Sequence, residues 1–412
     1  MSWSFEASLA AFLGLAFAAH ALSALTRSRL SLQFWLGALC FAGFASGILP
    51  ADLIERSRMR EVGVIAFNVL VVHSGTMIDL GEIGRRWKAA LLCLALALPA
   101  VAVLGIGLAP VIGRELAAVS PGPTLGGGAA AAIASNALSL SRPELAAFPW
   151  IIFMLQCLFG LPLFSGALRM ALRRDGARAV GQAAAPRAAR GPNAPTRPTS
   201  ASAAPVAARA LLPERYRTTA WYLGSLMLVA LLNKWLYSAL LSWTRVGPVV
   251  TALLLGIALR AAGMLERDPL GKSDSFGLLM LGLMALMAQA FAKAGPATLL
   301  SLVPAALLAL ALASLTVAAA GALAGRLLGL GAWTGLAAAA GCLVGLPLCA
   351  ALVQEAGASV GEGGAAQGPG SLPAPVASPA AARLLPQVVI AASLMGNVLS
   401  IVLASLAGAL VR

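Results

Sequence analysis

Residues 121–140 read PGPTLGGGAAAAIASNALSL, and residues 332–355 read AWTGLAAAAGCLVGLPLCAALVQE. Each is nearly long and apolar enough to cross a membrane. Neither carries the bulky side chains that a lipid-facing helix presents. Both are rich in Gly, Ala and Pro, which loosen or break a helix. In hydrocarbon, a broken helix is tolerated only where protein surrounds it, because its freed backbone groups find no water there. The two stretches are therefore predicted to be re-entrant or broken helices inside a larger bundle.

The rest of the chain supplies that bundle. Of 412 residues, 60% are hydrophobic and 11% charged. A soluble domain carries about 25% charged residues, so too few polar groups are present to cover a water-facing surface. Ten apolar segments have the length of a span: 5–25, 31–50, 62–80, 89–112, 146–172, 219–243, 247–264, 276–295, 297–325 and 384–411. Trp3, Trp35, Trp87, Trp150, Trp221 and Trp243 sit at or near span ends, the place of an interfacial indole belt. Ala21-Leu22-Ser23-Ala24 resembles a signal-peptide cleavage site, but arginines follow rather than precede the apolar run, so the first span is expected to be retained.

The pattern repeats. In each half, a charged turn (LPADLIERSRM, LRAAGMLERDPL) precedes a span with polar residues near its end. A long Leu/Ala/Val span follows, then the Gly/Ala/Pro stretch, then a closing span. The expected fold is an all-α polytopic membrane protein of two inverted repeats, each of five transmembrane helices plus one re-entrant or broken helix. Residues 1–172 form the first repeat and 219–412 the second. Residues 173–218, rich in Arg, Ala and Pro, read as a disordered cytoplasmic linker, and 357–382 as a flexible loop.

The net charge is +14, with 25 Arg and 4 Lys. The arginines lie in short connections and in the linker, without a basic helix or an RNA-binding aromatic motif, so no nucleic-acid partner is expected. Most of them fit the cytoplasmic side of a bilayer; the exceptions are Arg56, Arg58 and Arg60, which fall outside beside Asp52, Glu55 and Glu61. With the linker inside, five preceding spans put both termini in the periplasm of a bacterial inner membrane.

The chemistry is sought at the breaks. An interrupted helix exposes N–H groups at one half-helix end and C=O groups at the other. The first suit a carboxylate, the second a cation such as Na⁺. The first stretch provides Thr124, Gly126, Gly127, Gly128, Ser135 and Asn136; the second provides Gly345, Pro347 and Gln354. Gly127 and Gly128 are expected to need glycine for close approach and positive φ. His73 and Lys234 are secondary candidates, as ionisable groups within spans. No span has Asp or Glu in its interior. Cys40, Cys93, Cys157, Cys342 and Cys349 read as buried apolar residues rather than a metal or disulfide set. The chain lacks GxxxxGK[ST] and HExxH, and its GxSxG match, Gly357-Ala358-Ser359-Val360-Gly361, falls in a Gly/Ala/Pro-rich loop rather than between a strand and a helix, so no ATPase, serine hydrolase or metalloprotease chemistry is expected, and no enzyme activity.

The order of elements resembles the bacterial sodium/glutamate symporter family, over nearly the whole chain and chiefly as pattern. The best local match is Thr124-Leu125-Gly126-Gly127-Gly128, where the family has Thr-Leu-x-Gly-Gly followed by His-Gly-Thr; here Ala129, Ala130 and Ala131 follow. Pro347 and Gln354 also match, with Leu346 and Leu348 at the family's threonine positions. The stretch SFGLLMLGLMALM at 275–287 is similar to another span of the family. The resemblance implies Na⁺-coupled symport of glutamate or a related carboxylate by alternating access. No resident cofactor is expected beyond the transported ion. The partners are an anionic solute and the lipid bilayer, with a homodimer left open. The alternatives are a proton-coupled or exporting transporter of the same fold, and a non-transporting membrane scaffold.

Overall fold

A computed structural model of the chain describes residues 3–26, 30–184, 216–241, 247–345, 349, 352–353 and 379–411. Among these, all regular structure is helical. The first half contains α1 (Phe5–Leu25), α2 (Leu32–Ala45), α3 (Met59–Thr76), α4 (Trp87–Ala100), α5 (Gly128–Ser141) and α6 (Phe148–Ala184). The second contains α7 (Thr219–Leu236), α8 (Pro248–Ala261), α9 (Phe276–Ala294), α10 (Pro296–Leu327), α11 (Ala332–Val344), α12 (Pro379–Ser393) and α13 (Ser400–Val411). Wider π-type turns carry α4 on through Val101–Gly107, extend α7 through Tyr237–Leu241, and join α12 to α13 through Leu394–Leu399.

Six helical stretches are long and apolar enough to cross a membrane: Phe5–Leu25, Trp87–Ile112, Pro143–Arg174, Phe276–Ala294, Pro296–Leu327 and Leu384–Val411. The exterior agrees with that reading. Phe17, Leu98, Ile106, Leu228, Leu231, Leu315, Leu327 and Leu410 are all exposed. An apolar surface of this extent is incompatible with water and natural in lipid, so the protein is membrane-embedded. Several expected spans are shorter than the sequence suggests. α2 stops at Ala45, and α8 and α11 are also short apolar helices. α6 runs to Ala184, into the stretch read as linker; residues 185–215 lie outside the described residues, as do most of 357–382. One interfacial tryptophan is misplaced by the sequence reading: Trp150 is buried and meets Phe153 edge-on. Trp243 lies outside the described residues.

The helices pack in two groups. In one, α3 packs on α8 and α9, α2 on α1 and α9, and α7 on α3 and α8. In the other, α10 packs on α11, α6 and α4, α11 on α6 and α12, and α5 on α13 and α6. Contacts between the groups are fewer, through pairs such as α5 with α9 and α2 with α6. Glycines set the closest crossings in the first group. A Cβ on Gly75 would overlap the Leu253 carbonyl, and one on Gly256 the Val72 carbonyl, so α3 and α8 meet backbone to backbone. A Cβ on Gly63 would stand 2.5 Å from Gly282 O, which fixes α3 on α9 in the same way. In lipid, where apolar burial does not drive association, such close approach is a main source of helix packing.

Candidate functional site

The first Gly-rich stretch folds as a broken element. Gly113, at φ 91°, turns the chain after Ile112. Two short helices follow, Arg114–Val119 and Pro121–Leu125; the helix then breaks at Gly126 and Gly127 and resumes as α5. Glu115, at the start of the first limb, and Arg142, just past the end of the second, form an ion pair at 3.6 Å. One straight helix over the same residues would separate them by about 40 Å. The two limbs therefore double back. Ser135 Oγ donates to Ala146 O at 2.7 Å and ties the second limb to the approach to α6.

Local packing explains the glycines differently from the sequence reading. Gly126 and Gly127 have φ −120° with ψ −156° and −160°, extended backbone open to any residue. Positive φ is therefore not their role. Gly126 is needed because a Cβ there would overlap Ser400 at the start of α13. Gly122 meets Ala404 in the same way, at 2.8 Å. Gly128 is buried, and a Cβ would lie 2.6 Å from the Leu283 side chain on α9. Gly127 is the exception. Nothing lies within 4 Å of a Cβ built on it, so close approach of a neighbour is not what calls for glycine there. This open space adjoins the start of α5, whose first turn has no side-chain cap. Uncapped N–H groups beside an opening are the feature that suits an anion.

The C=O side of the break is already served. Gln156, buried on α6, donates from Nε2 to Gly126 O at 2.9 Å and to Thr124 O at 3.4 Å. Sequence reading missed this residue. A lone glutamine in an apolar span (FMLQCLF) was the available signal, since a polar side chain there needs a partner. Thr124 is fully buried, and its hydroxyl donates to Ser120 O and Pro121 O. The hydroxyls of Thr124 and Ser135 thus both serve backbone carbonyls, within the first limb and on the approach to α6 respectively.

Other candidates lie elsewhere. Asn136 is exposed on the outer face of α5, against the expectation that it points to a site. Lys234 is exposed on α7, where its long stem can carry the ammonium toward the interface. Its neighbour Asn233 is the buried one, donating to Pro248 O at 3.0 Å. Gly345 ends α11 with φ 78°, and here positive φ does call for glycine. Pro347 and Gln354 lie outside the described residues.

His73 is buried near the end of α3, with Nε2 3.7 Å from Asp268 Oδ1 and no partner at Nδ1. Asp268 belongs to the turn before α9. A matching arrangement joins the end of α9 to the turn before α3: Lys293 Nζ lies 3.6 Å from Glu55 Oε1, and Gln289 donates to the same oxygen. Beside Asp268, Glu266 gathers Lys272, Arg217 and the Tyr222 hydroxyl. Burial opposes its ionisation, but these partners outweigh that effect and hold its carboxyl below the usual range. A small half-open pocket lies between the segment after α3 and the end of α12, lined by Asp79, Glu82, Arg267 and Ser393 with apolar walls. No family model matches the chain, and no curated protein matches it.

Proposed function

We propose that the chain is a secondary active transporter of a small organic anion, an amino acid or a carboxylate, working by alternating access in a bacterial inner membrane. The observation that carries this reading is the first hairpin. Its two limbs meet at a break inside the bundle, and the uncapped start of α5 adjoins free space. Interrupted helices near the middle of a bundle are where secondary transporters bind solute.

The packing supports the inverted-repeat part of the reading. Exchange α1–α5 for α7–α11, and α6 for the joined α12 and α13, and major contacts map onto contacts. The pair α2–α9 becomes α8–α3, and α1–α2 becomes α7–α8. The pair α5–α13 becomes α11–α6, and α5–α6 becomes α11–α12. Two side-chain contacts obey the same exchange, His73 with Asp268 and Lys293 with Glu55. In this reading the group holding the first hairpin and α11 moves against the group clamped at Gly75–Gly256 and Gly63–Gly282. Both termini are periplasmic and 173–218 cytoplasmic, as the arginine distribution favours. Uptake by the purified protein in liposomes, screened over amino acids and di- and tricarboxylates, tests the proposal.

One observation favours the scaffold alternative. The hydroxyls of Thr124 and Ser135 are bonded to backbone, and a dry, fully satisfied hairpin has less to offer a solute. The open space at Gly127 weighs against it.

A further inference from the structure

The broken helix leaves carbonyl oxygens that in a transporter suit a monovalent cation. Two of them, on Thr124 and Gly126, face one side chain, and that side chain is Gln156. Carbonyl oxygens only accept hydrogen bonds, so the group facing them is the NH₂ end of the amide, whose two N–H bonds suit two acceptors. Gln156 is buried at 4% exposure, so water does not compete for those oxygens. On the Cα side of Gly126 the break packs closely on Ser400, whose hydroxyl donates to Gly396 O at 2.6 Å and so is engaged elsewhere.

We propose that Gln156 stands in for a coupling cation at the first hairpin: its amide N–H groups, a fixed partial positive charge, occupy the carbonyl cradle that Na⁺ would otherwise fill. The inference rests on the transporter reading and sharpens it. Transport then runs without Na⁺ at this hairpin, and residue 156 determines ion specificity. The physical comparison is direct. A bound Na⁺ must be stripped of water on each entry, whereas a tethered amide is desolvated once, on folding. A glutamate at the same place would set carboxylate oxygens against two carbonyl oxygens, an arrangement that requires a cation or a proton between them.

The test compares thermal unfolding of the full chain in detergent, in NaCl and in choline chloride at equal ionic strength, at about pH 8.5, where protonation of a buried carboxyl competes least. The wild-type protein should unfold at the same temperature in both salts. Gln156→Glu should gain a rise in Tm of at least about 2 °C in Na⁺ over choline. Gln156→Ser, which frees the two carbonyls and adds a hydroxyl oxygen, should gain a smaller rise and serves if the glutamate variant does not fold. A Na⁺-specific rise shared by wild type and variants, or absent from every variant that folds, overturns the proposal. Uptake assays on the same proteins separate the two readings. If no solute moves under any gradient, the transporter reading fails while the thermal comparison still decides the role of Gln156. If wild-type uptake requires Na⁺ and Gln156→Ser abolishes that requirement, the substitution of amide for ion is wrong and the transporter reading stands.

Discussion

Arg142 Nε lies 3.6 Å from Glu115 Oε1, at opposite ends of a segment that the sequence alone could read as one span. This approach makes the segment a hairpin whose break points into the bundle rather than across it. The energy of the pair is small. Both side chains are well exposed, and such pairs contribute about 0–1 kcal/mol. The pair therefore marks the hairpin's geometry; the glycine contacts at Gly122 and Gly126 and the Gln156 hydrogen bonds hold it.

The geometry can be checked by cross-linking. With Glu115→Cys and Arg142→Cys on an otherwise cysteine-free background, a short bifunctional thiol reagent should join the two positions efficiently in membranes. Modification at both sites without cross-linking would mean that the limbs diverge and the segment crosses the membrane.

The glycine contacts predict a sharp contrast. Gly75→Val and Gly256→Val each drive a side chain into a backbone carbonyl that cannot step aside. Each should cost about 1–3 kcal/mol or more, seen as a lower Tm and poorer yield in detergent. Gly127→Ala meets open space and extended φ, so it should change stability by only about 0.5 kcal/mol. Equal losses at all three positions would mean that the glycines serve backbone flexibility rather than close packing.

Acid stability should depend on Glu266. Its carboxyl is held below the ordinary range in the folded protein by Lys272, Arg217 and Tyr222 against the opposing effect of burial. A depressed folded-state value contributes stability that is present above the unfolded value, about 4.3, and lost as pH falls through the folded value. Glu266→Gln should therefore lower Tm at neutral pH and flatten its decline below about pH 4.3. A variant that keeps the wild-type acid limb would show that other carboxylates govern it.

Much of the bundle was legible because lipid imposes a simple rule on composition and length. The break at Gly126–Gly127 was readable from the run of glycines, and the paired charged turns from their repetition. What was not legible was direction. Ser135 and Asn136 are adjacent, yet one is buried against Ala146 and the other faces out. In a stretch of small residues, apolar periodicity is too weak to say which face is which. Trp150 failed for a related reason: an aromatic near a span end fits a belt or a core equally well until its neighbours, here Phe153, are known. Gln156 was visible as a lone polar residue in an apolar span, but its partners are backbone oxygens on another segment, which leave no trace in residue types.

Transport is the central claim, and uptake into proteoliposomes tests it most directly. Purified protein would be reconstituted and challenged with labelled amino acids and di- and tricarboxylates, with and without an imposed ion gradient. Gly128→Leu, which thrusts a large side chain at Leu283 beside the opening of α5, would be measured in parallel. The account predicts saturable accumulation of at least one anionic solute by the wild-type protein, abolished in Gly128→Leu even though that variant inserts in the membrane. No accumulation of any solute by folded wild-type protein, or uptake undiminished in Gly128→Leu, would contradict it.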